Sequence, residues 1–144
     1  MYQKLVIIGN LGRDPEMRYM PDGRPVTRLN VATNNVYKDA SGQTVKETTW
    51  FQVSVFGKQA EACGQYLQKG RMVLVEGRLR PDKQTGGPRI YDKQDGSKGT
   101  SFEVSALTVK FLGGGQRAEG APVAADEELA TVPDTAGDEE AIPF

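Results

Sequence analysis

The sequence predicts a mainly-β domain, a five-stranded barrel with one helix between its third and fourth strands, followed by a disordered tail. Three features lead to this prediction: short β-branched runs separated by turn signals, one segment with helical periodicity, and a change of composition after residue 112. With 144 residues, 38% of them hydrophobic, the chain has the size of one domain with a modest core.

The predicted strands follow one another through the first 112 residues. Gly9 and Asn10 supply a turn signal after the first strand, and Met20–Gly23 and Asp39–Gly42 supply the next two. Within the second and third strands, side chains alternate between an apolar and a more polar face, as in a half-buried sheet. The strands are predicted at residues 5–8, 26–37, 45–56, 71–80 and about 100–112.

The segment between the third and fourth strands has helical periodicity. Ala60, Cys63 and Leu67 fall on one helical face within residues 58–69, and Gly70 stands where a glycine that ends a helix is expected. Five strands with a helix in this position have the element order of an OB-fold, a small Greek-key barrel. An SH3-like barrel with an insertion would have much the same order.

Charge is divided unevenly along the chain. The formal net charge of −1 is small, but residues 113–144 hold one basic and eight acidic residues, which leaves 17 basic and 11 acidic residues among residues 1–112. A basic domain joined to an acidic tail predicts a polyanion partner for the domain and a separate role for the tail.

Residues that usually carry catalysis or bind metals are scarce. There is no histidine, and the single cysteine, Cys63, is expected to be a small core residue because it lies on the apolar helix face. Asp92–Gly96 lacks the alternating ligands of a calcium loop and is interpreted as a turn. We therefore expect no enzyme activity, no cofactor and no metal site. The absence of a signal peptide and of a long apolar run predicts a cytoplasmic protein without a membrane partner.

The third strand carries the most informative pattern. Alternation predicts that Phe51, Val53 and Val55 face the core, while Trp50 and Phe56 lie on the other face with small polar residues between them. Aromatic side chains on a non-core face are explained either by a subunit interface or a covering loop, or by a platform on which bases stack without regard to sequence.

Cations stand next to further aromatic residues. Tyr37 is followed by Lys38, and Arg89 precedes Tyr91 by two positions. Singly, these pairs are ordinary hairpin residues. Together, in a small basic barrel, they favour a groove that stacks bases and neutralises phosphates. Further basic residues available for phosphates are Lys58, Lys69, Arg78 and Arg80.

The tail has two parts. Residues 113–137 are rich in Gly, Ala, Pro, Asp and Glu and predict a disordered linker, because they cannot bury enough apolar surface to offset the entropy of ordering. Residues 138–144 end in an apolar cluster, which we interpret as a peptide ligand for a basic-rimmed pocket of a partner protein. A chain end without a role is the alternative. The predicted tip consists of Asp138, Glu139, Glu140, Ala141, Ile142, Pro143 and Phe144.

Several segments together resemble the bacterial-type single-stranded-DNA-binding proteins, and as a set they are specific to that family. The resemblance covers residues 1–112 and about the last seven residues. The segments that carry it are Gly9–Glu16, Arg18–Gly23, Trp50, Phe56–Lys58, Tyr66–Gly70, Val75–Leu79 and Ile142–Phe144.

The resemblance implies an OB-fold that assembles as a homotetramer and binds and protects single-stranded DNA of any sequence during DNA replication, recombination and repair. It also implies a nucleoid-associated protein whose tip recruits replication, repair and recombination proteins. The stacking aromatics it implies are Tyr37, Trp50, Phe56 and Tyr91, and the phosphate-binding lysines are Lys58 and Lys69. To these the charge pattern adds Lys38, Arg80 and Arg89.

The sequence departs from the family pattern at a few positions. Tyr37 and Tyr91 stand where tryptophan is common, and Ala40 stands where a lysine is expected. Pro81–Pro88 resembles an insertion that lengthens a clamp over DNA, contacts another subunit, or does neither. Two alternative functions remain: an accessory OB-fold subunit or RNA-binding relative, and a scaffold that binds mainly proteins.

Overall fold

The computed structural model describes residues 1–113, which form seven strands and one helix. The predicted linker, apart from Gly113, and the predicted docking tip lie outside the described residues. The elements are β1 (Leu5–Leu11), β2 (Glu16–Tyr19), β3 (Pro25–Lys38), β4 (Thr44–Phe56), α1 (Lys58–Tyr66), β5 (Met72–Arg80), β6 (Arg89–Asp92) and β7 (Lys98–Leu112).

Five of the strands close into a barrel. The hydrogen-bonded order runs β1–β5–β7–β4–β3, and β3 pairs back with β1. All of these pairings are antiparallel except that of β4 with β7, which is parallel. The helix α1 lies between the third and fourth barrel strands along the chain, so the predicted OB-fold barrel is confirmed.

The core lies inside the barrel and is almost entirely aliphatic. Its fully buried members alternate along the strands, as the pattern in β3 and β4 predicted. The hydroxyl of Thr27 is also buried and donates to the Ala60 carbonyl oxygen (2.6 Å), which ties α1 to β3. The fully buried apolar residues of the strands are Leu29, Val31, Val53, Val55, Val73, Val75 and Val104.

Cys63 is buried on the core side of α1, as predicted. Burial raises the pKa of its thiol to about 11, because the apolar surroundings disfavour the thiolate. At neutral pH this thiol is therefore mostly in the neutral, weakly nucleophilic form.

The helix is shorter than predicted. It ends at Tyr66, so the prediction that Gly70 caps its C-terminus is wrong. Leu67 follows the helix with an extended backbone (φ −89°, ψ 148°), and its side chain is nevertheless buried in the core. Its apolar character therefore matched the helical pattern although it is not part of the helix. Gly70 has a left-handed backbone (φ 88°), in the turn that leads into β5.

The first strand is longer than predicted, because Gly9 and Asn10 continue β1 and do not form a turn. A Cβ atom at Gly9 would lie 2.3 Å from the carbonyl oxygen of Ala32. Only glycine therefore allows β1 to approach β3 here, where the Asn10–Ala32 pair helps to close the barrel.

Two short strands were not predicted. All four residues of β2 and all four of β6 are exposed, so neither strand shows the alternation by which sequence reveals a half-buried strand. β2 pairs with the edge of β3, and β6 pairs with the beginning of β7.

β7 contains a β-bulge that alternation cannot reveal. The register shifts between Glu76 and Gly77 of β5, which leaves Leu107 of β7 as the extra residue. The bulge reverses the alternation, so Val104 before it and Val109 after it both pack against the core. Within residues 1–113, no helix is long and apolar enough to cross a membrane.

Candidate nucleic-acid interface

The outer face of β4 carries the aromatic residues that alternation predicted. Val53 and Val55 are fully buried, whereas Trp50 is 51% exposed and Phe56 is 38% exposed. Between the two aromatic residues, Gln52 and Ser54 also point outward and are only partly exposed.

Around these residues, four strands present two rows of polar side chains. The pairing registers place each row across β3, β4, β7 and β5, one residue from each strand. The first row is Asn30, Gln52, Glu103 and Arg80, and the second is Arg28, Ser54, Ser105 and Arg78. This outer face is therefore polar, with three arginines, four uncharged side chains and one carboxylate, which lies in its first row.

β6 and the segment after β1 form a groove with this outer face. Two adjoining hollows of about 320 and 200 Å³ share Gln52, Tyr91 and Ser101. We call their combined surface the groove. It is lined by Arg13, Arg28, Asn30, Trp50, Phe51, Gln52, Arg89, Tyr91, Thr100, Ser101 and Glu103.

The indole ring of Trp50 lies against Gly12, in the segment between β1 and β2. A Cβ atom at residue 12 would lie 2.3 Å from Cζ3 and 2.5 Å from Cη2 of the indole, so glycine is required for this ring position. Because Trp50 is also half exposed, its ring is supported by the backbone and accessible to a planar partner.

Tyr91 lies in β6 rather than in a loop, opposite Gly99 of β7. A Cβ atom at Gly99 would lie 2.6 Å from Cζ of the tyrosine, so the ring covers the glycine closely. Tyr91 and Trp50 line the same hollow. The structure thus brings two of the four predicted stacking residues into one groove.

Two arginines of the groove, Arg13 and Arg28, were not named from the sequence as phosphate contacts. Asn30 orients Arg13. When the side-chain amide of Asn30 is assigned so that its oxygen faces the arginine, that oxygen accepts hydrogen bonds from Nε and Nη2 of Arg13 (2.9 Å each). Arg28 lines the groove and a smaller hollow that it shares with Arg18. The available signal was the position of Arg28 on the outer face of a predicted strand.

Arg28 differs from the other arginines of the groove in its partners. Arg89 donates from Nη1 to Oε1 of Glu103 (3.0 Å), and Arg13 lies 3.8 Å from a carboxylate oxygen of Glu16. Arg28 has no ion-pair partner among residues 1–113. Glu16 of β2 stands opposite Arg28 in register and lines the smaller hollow with it, but the two do not form an ion pair. Arg28 can therefore contact an external anion such as a phosphate.

Tyr37 and Lys38 lie outside the groove, at the tip of the long β3–β4 hairpin. Alternation along β3 places Tyr37 on the face opposite to that of Arg28 and Asn30. The Tyr37 hydroxyl donates to Oε1 of Glu47 (2.9 Å), and this hydrogen bond raises the pKa of the phenol. A role for Tyr37 and Lys38 in binding stays a prediction.

The remaining predicted residues do not line the groove. Phe56 ends β4, and Lys58 begins α1 two residues later. The exposed Lys69 is held in place through its backbone N–H, which donates to Oδ1 of Asp14 (2.8 Å). Arg80 ends β5, in register with Glu103.

The predicted insertion at residues 81–88 forms a closed turn. Oδ1 of Asp82 accepts hydrogen bonds from the backbone N–H groups of Gln84 (2.9 Å) and Thr85 (3.0 Å), and these bonds lower the pKa of the carboxyl group. The turn and Phe102 line a hollow of about 320 Å³ beside Arg80. The contribution of the insertion to a clamp or to a subunit contact stays a prediction.

A second outer face of the barrel, on β1 and β5, is apolar. Val6 and Ile8 are 53% and 54% exposed on β1, and on β5 Leu74 lies opposite Ile8, with Met72 opposite Asn10 and Glu76 opposite Val6. The apolar residues of this face are Val6, Ile8, Met72 and Leu74. We call these four residues the apolar face. None of the described residues forms a group of three or more histidine, cysteine or acidic side chains that could hold a metal ion.

Comparison with known proteins gives a consistent result. The sequence model of the single-strand binding protein family matches residues 2–112. A single-stranded DNA-binding protein of Neisseria meningitidis is 42% identical over 120 residues, which are 83% of this chain and 65% of that protein. One from Xanthomonas campestris is 42% identical over 117 residues, which are 81% of this chain and 63% of that protein.

Solved structures with similar folds belong to the same group of proteins. A deletion mutant of the single-stranded DNA binding protein from Thermus aquaticus has a TM-score of 0.60 and 33% identity, over 77% of this chain and 50% of that one. A Plasmodium falciparum SSB in complex with single-stranded DNA has a TM-score of 0.64 at 23% identity, which shows the fold alone; the match covers 78% of this chain and 97% of that one.

The chain thus spans less than two thirds of the length of the first bacterial relatives that it matches, and the family model matches the barrel domain. The expected family resemblance is confirmed over residues 2–112: the chain belongs to the single-strand binding protein family.

Proposed function

We propose that this chain binds single-stranded DNA without regard to sequence, and that it acts by binding alone. The observation that carries the proposal is the groove, in which two accessible aromatic rings, Trp50 and Tyr91, stand among arginines on the outer face of an OB-fold barrel. The names of the bacterial relatives support the same ligand.

The groove has the chemistry expected for this task. Aromatic rings stack on any base, because every base has a π-face, and arginines attract the phosphates with release of counterions. In duplex DNA the faces of the bases are already stacked on one another. Trp50 can therefore reach a base face in a single strand but not in an intact duplex.

We further propose that the chain assembles as a homotetramer. The apolar face supports this proposal, because Val6 and Ile8 are about half exposed and Ile8 lies opposite Leu74 of the neighbouring strand. A contiguous exposed apolar patch is typical of a subunit contact. The resemblance to tetrameric family members favours the same arrangement.

For the tail we propose a division of labour. The acidic tail, residues 113–144, competes with DNA for the basic groove, and its tip, residues 138–144, docks replication, repair and recombination proteins. Truncation after Leu112 should raise DNA affinity at low salt. Unchanged affinity after truncation would contradict the competition.

Deletion of Phe144 should abolish partner docking while sparing DNA binding. Equal loss of both activities after the deletion would contradict the separate roles.

The experiment that tests the central proposal uses the single tryptophan. The protein is titrated with oligo(dT), and separately with a duplex of equal length, while Trp50 fluorescence is followed at low and high salt. We expect strong quenching by the single strand alone, with weaker binding at high salt. Absence of quenching by either ligand would favour the scaffold or accessory-subunit alternative, in which Trp50 is covered by protein.

A further inference from the structure

One acidic residue stands among the arginines of the groove. Glu103 lies in the first polar row, between Gln52 of β4 and Arg80 of β5. Its carboxylate accepts a hydrogen bond from Nη1 of Arg89 (3.0 Å), and its side chain is 23% exposed. A carboxylate at this place opposes the approach of a phosphate and occupies one of the cations that would attract it.

Glu103 is not needed to hold β6 in place over the groove. All four residues of β6 pair with β7, through Arg89–Ser101 at one end and Asp92–Lys98 at the other. The ring of Tyr91 is in addition packed closely over Gly99. Removal of the Glu103 charge should therefore leave Tyr91 in position. Its main effect should be that Arg89 loses its ion-pair partner.

Given the proposed binding of single-stranded DNA, we infer that Arg89 exchanges partners on binding. It pairs with Glu103 in the free protein and with a phosphate of the strand in the complex, so that Glu103 weakens binding and speeds release. The free energy gained from the contact between Arg89 and the phosphate is partly offset, because the ion pair between Arg89 and Glu103 must break first.

The exchange has a functional consequence for a protein that coats DNA. A strand held by fully available cations dissociates slowly, and differences in affinity within one interface lie mostly in the dissociation rate. Because the Glu103 carboxylate competes with the phosphate for Arg89, the strand dissociates and rebinds more readily. Glu103 thus holds the Arg89 side chain in the free protein and occupies the guanidinium that a phosphate contacts in the complex.

The test compares Glu103→Gln with a matched control in the same hairpin. Asp92→Asn removes the same charge from another ion pair of this hairpin, that with Lys98, but Asp92 does not line the groove. Since an exposed ion pair contributes little, we expect Glu103→Gln to bind oligo(dT) about two- to fivefold more tightly at low salt. The slope of log K against log salt should change by much less than roughly 0.7, the value for one phosphate of a single strand, because Arg89 contacts one phosphate in both proteins. Dissociation should slow, and Asp92→Asn should match the wild type.

Arg89→Ala separates exchange from simple repulsion. If Arg89 changes partners, the gain from Glu103→Gln disappears in the Arg89→Ala background. The inference is overturned if the gain persists there undiminished, if Asp92→Asn gives the same gain, or if Glu103→Gln gives none. Failure of the wild-type protein to bind oligo(dT) would instead overturn the proposed function. Unchanged Trp50 emission and thermal unfolding in the free variants confirm that the barrel is intact.

Discussion

The two outer faces of the barrel have opposite chemistry although the same kind of strand builds both. The groove side presents Trp50, Gln52 and arginines, so its outer surface is polar and aromatic. The apolar face presents Val6, Ile8 and their neighbours on β5. The inner face of every barrel strand is committed to the core, so the outer residues alone decide which partner each side of the barrel accepts.

The comparison assigns the two proposed partners to different places. A polyanion fits the cationic groove, and a second copy of the chain fits the apolar face. If this assignment is right, substitutions on one face change one activity and spare the other. Four substitutions test the separation, from the largest expected effect to the smallest.

The largest effect is expected from Ile8→Asp at the centre of the apolar face. A charge buried without a partner in a subunit contact costs several kcal/mol, so the assembly should dissociate into smaller species. Light scattering after size-exclusion chromatography measures the mass. Val36→Asp, at an exposed apolar position far along the β3–β4 hairpin, is the matched control and should leave the mass unchanged. An unchanged mass in Ile8→Asp would place the subunit contact elsewhere.

The next largest effect is expected from Trp50→Ala. Stacking contributes about 1–3 kcal/mol per base, so affinity for single-stranded DNA should fall by roughly 5- to 150-fold. The loss should be similar for oligo(dT), oligo(dC) and mixed sequences, because every base has a π-face. Titrations followed by the anisotropy of labelled DNA measure it, and a loss confined to one sequence would refute sequence-independent stacking. The assembly mass should not change.

A smaller effect is expected from Arg28→Ala, which removes an arginine of the groove that has no ion-pair partner among residues 1–113. Loss of one phosphate contact should reduce the slope of log K against log salt by roughly 0.7 and weaken binding of all sequences alike. Arg24→Ala removes the same charge from the turn between β2 and β3, where Arg24 pairs with Asp22 (2.6 Å). Equal slopes for the two variants would argue against a phosphate at Arg28.

The smallest effect is expected from Gly12→Ala. The added methyl group would meet the indole ring at 2.3 Å, so Trp50 must move while its side chain remains present. Affinity should fall by less than in Trp50→Ala, and the emission spectrum of the free protein should shift. Gly87→Ala, where a Cβ atom would contact only the Thr85 hydroxyl at 3.7 Å, is the control. Identical spectra and affinities for both variants would mean that Gly12 does not position the ring.

Alternation and turn chemistry predicted the barrel strands and the outward position of Trp50, because both are local properties of the chain. The same reasoning failed at Gly9 and Gly70, where glycine was taken as a stop signal. At Gly9 the glycine serves a close approach between strands, and at Gly70 it serves a turn beyond the end of the helix. Glycine tolerates all of these environments, so its presence alone does not identify the one that applies.

The candidate site was predicted only in part. Trp50 and Tyr91 were named from the sequence and share the groove, whereas Arg13 and Arg28 were not assigned to phosphates. A strand pattern shows that Arg28 points outward, but many outward arginines are simply solvated. What distinguishes Arg28 is its position in the groove and the lack of an ion-pair partner within residues 1–113, which depend on neighbouring strands.

By itself, the sequence determined the order of the five barrel strands and the helix, most residues that face the core, and the opposite charges of domain and tail, because each depends on residues close together in the chain. Only the tertiary structure decided that β6 stands over the outer face of β4, that Gly12 supports the ring of Trp50 and that Arg89 pairs with Glu103. These contacts join residues far apart in sequence. They arise because barrel closure and the pairing of β6 with β7 fix which side chains meet.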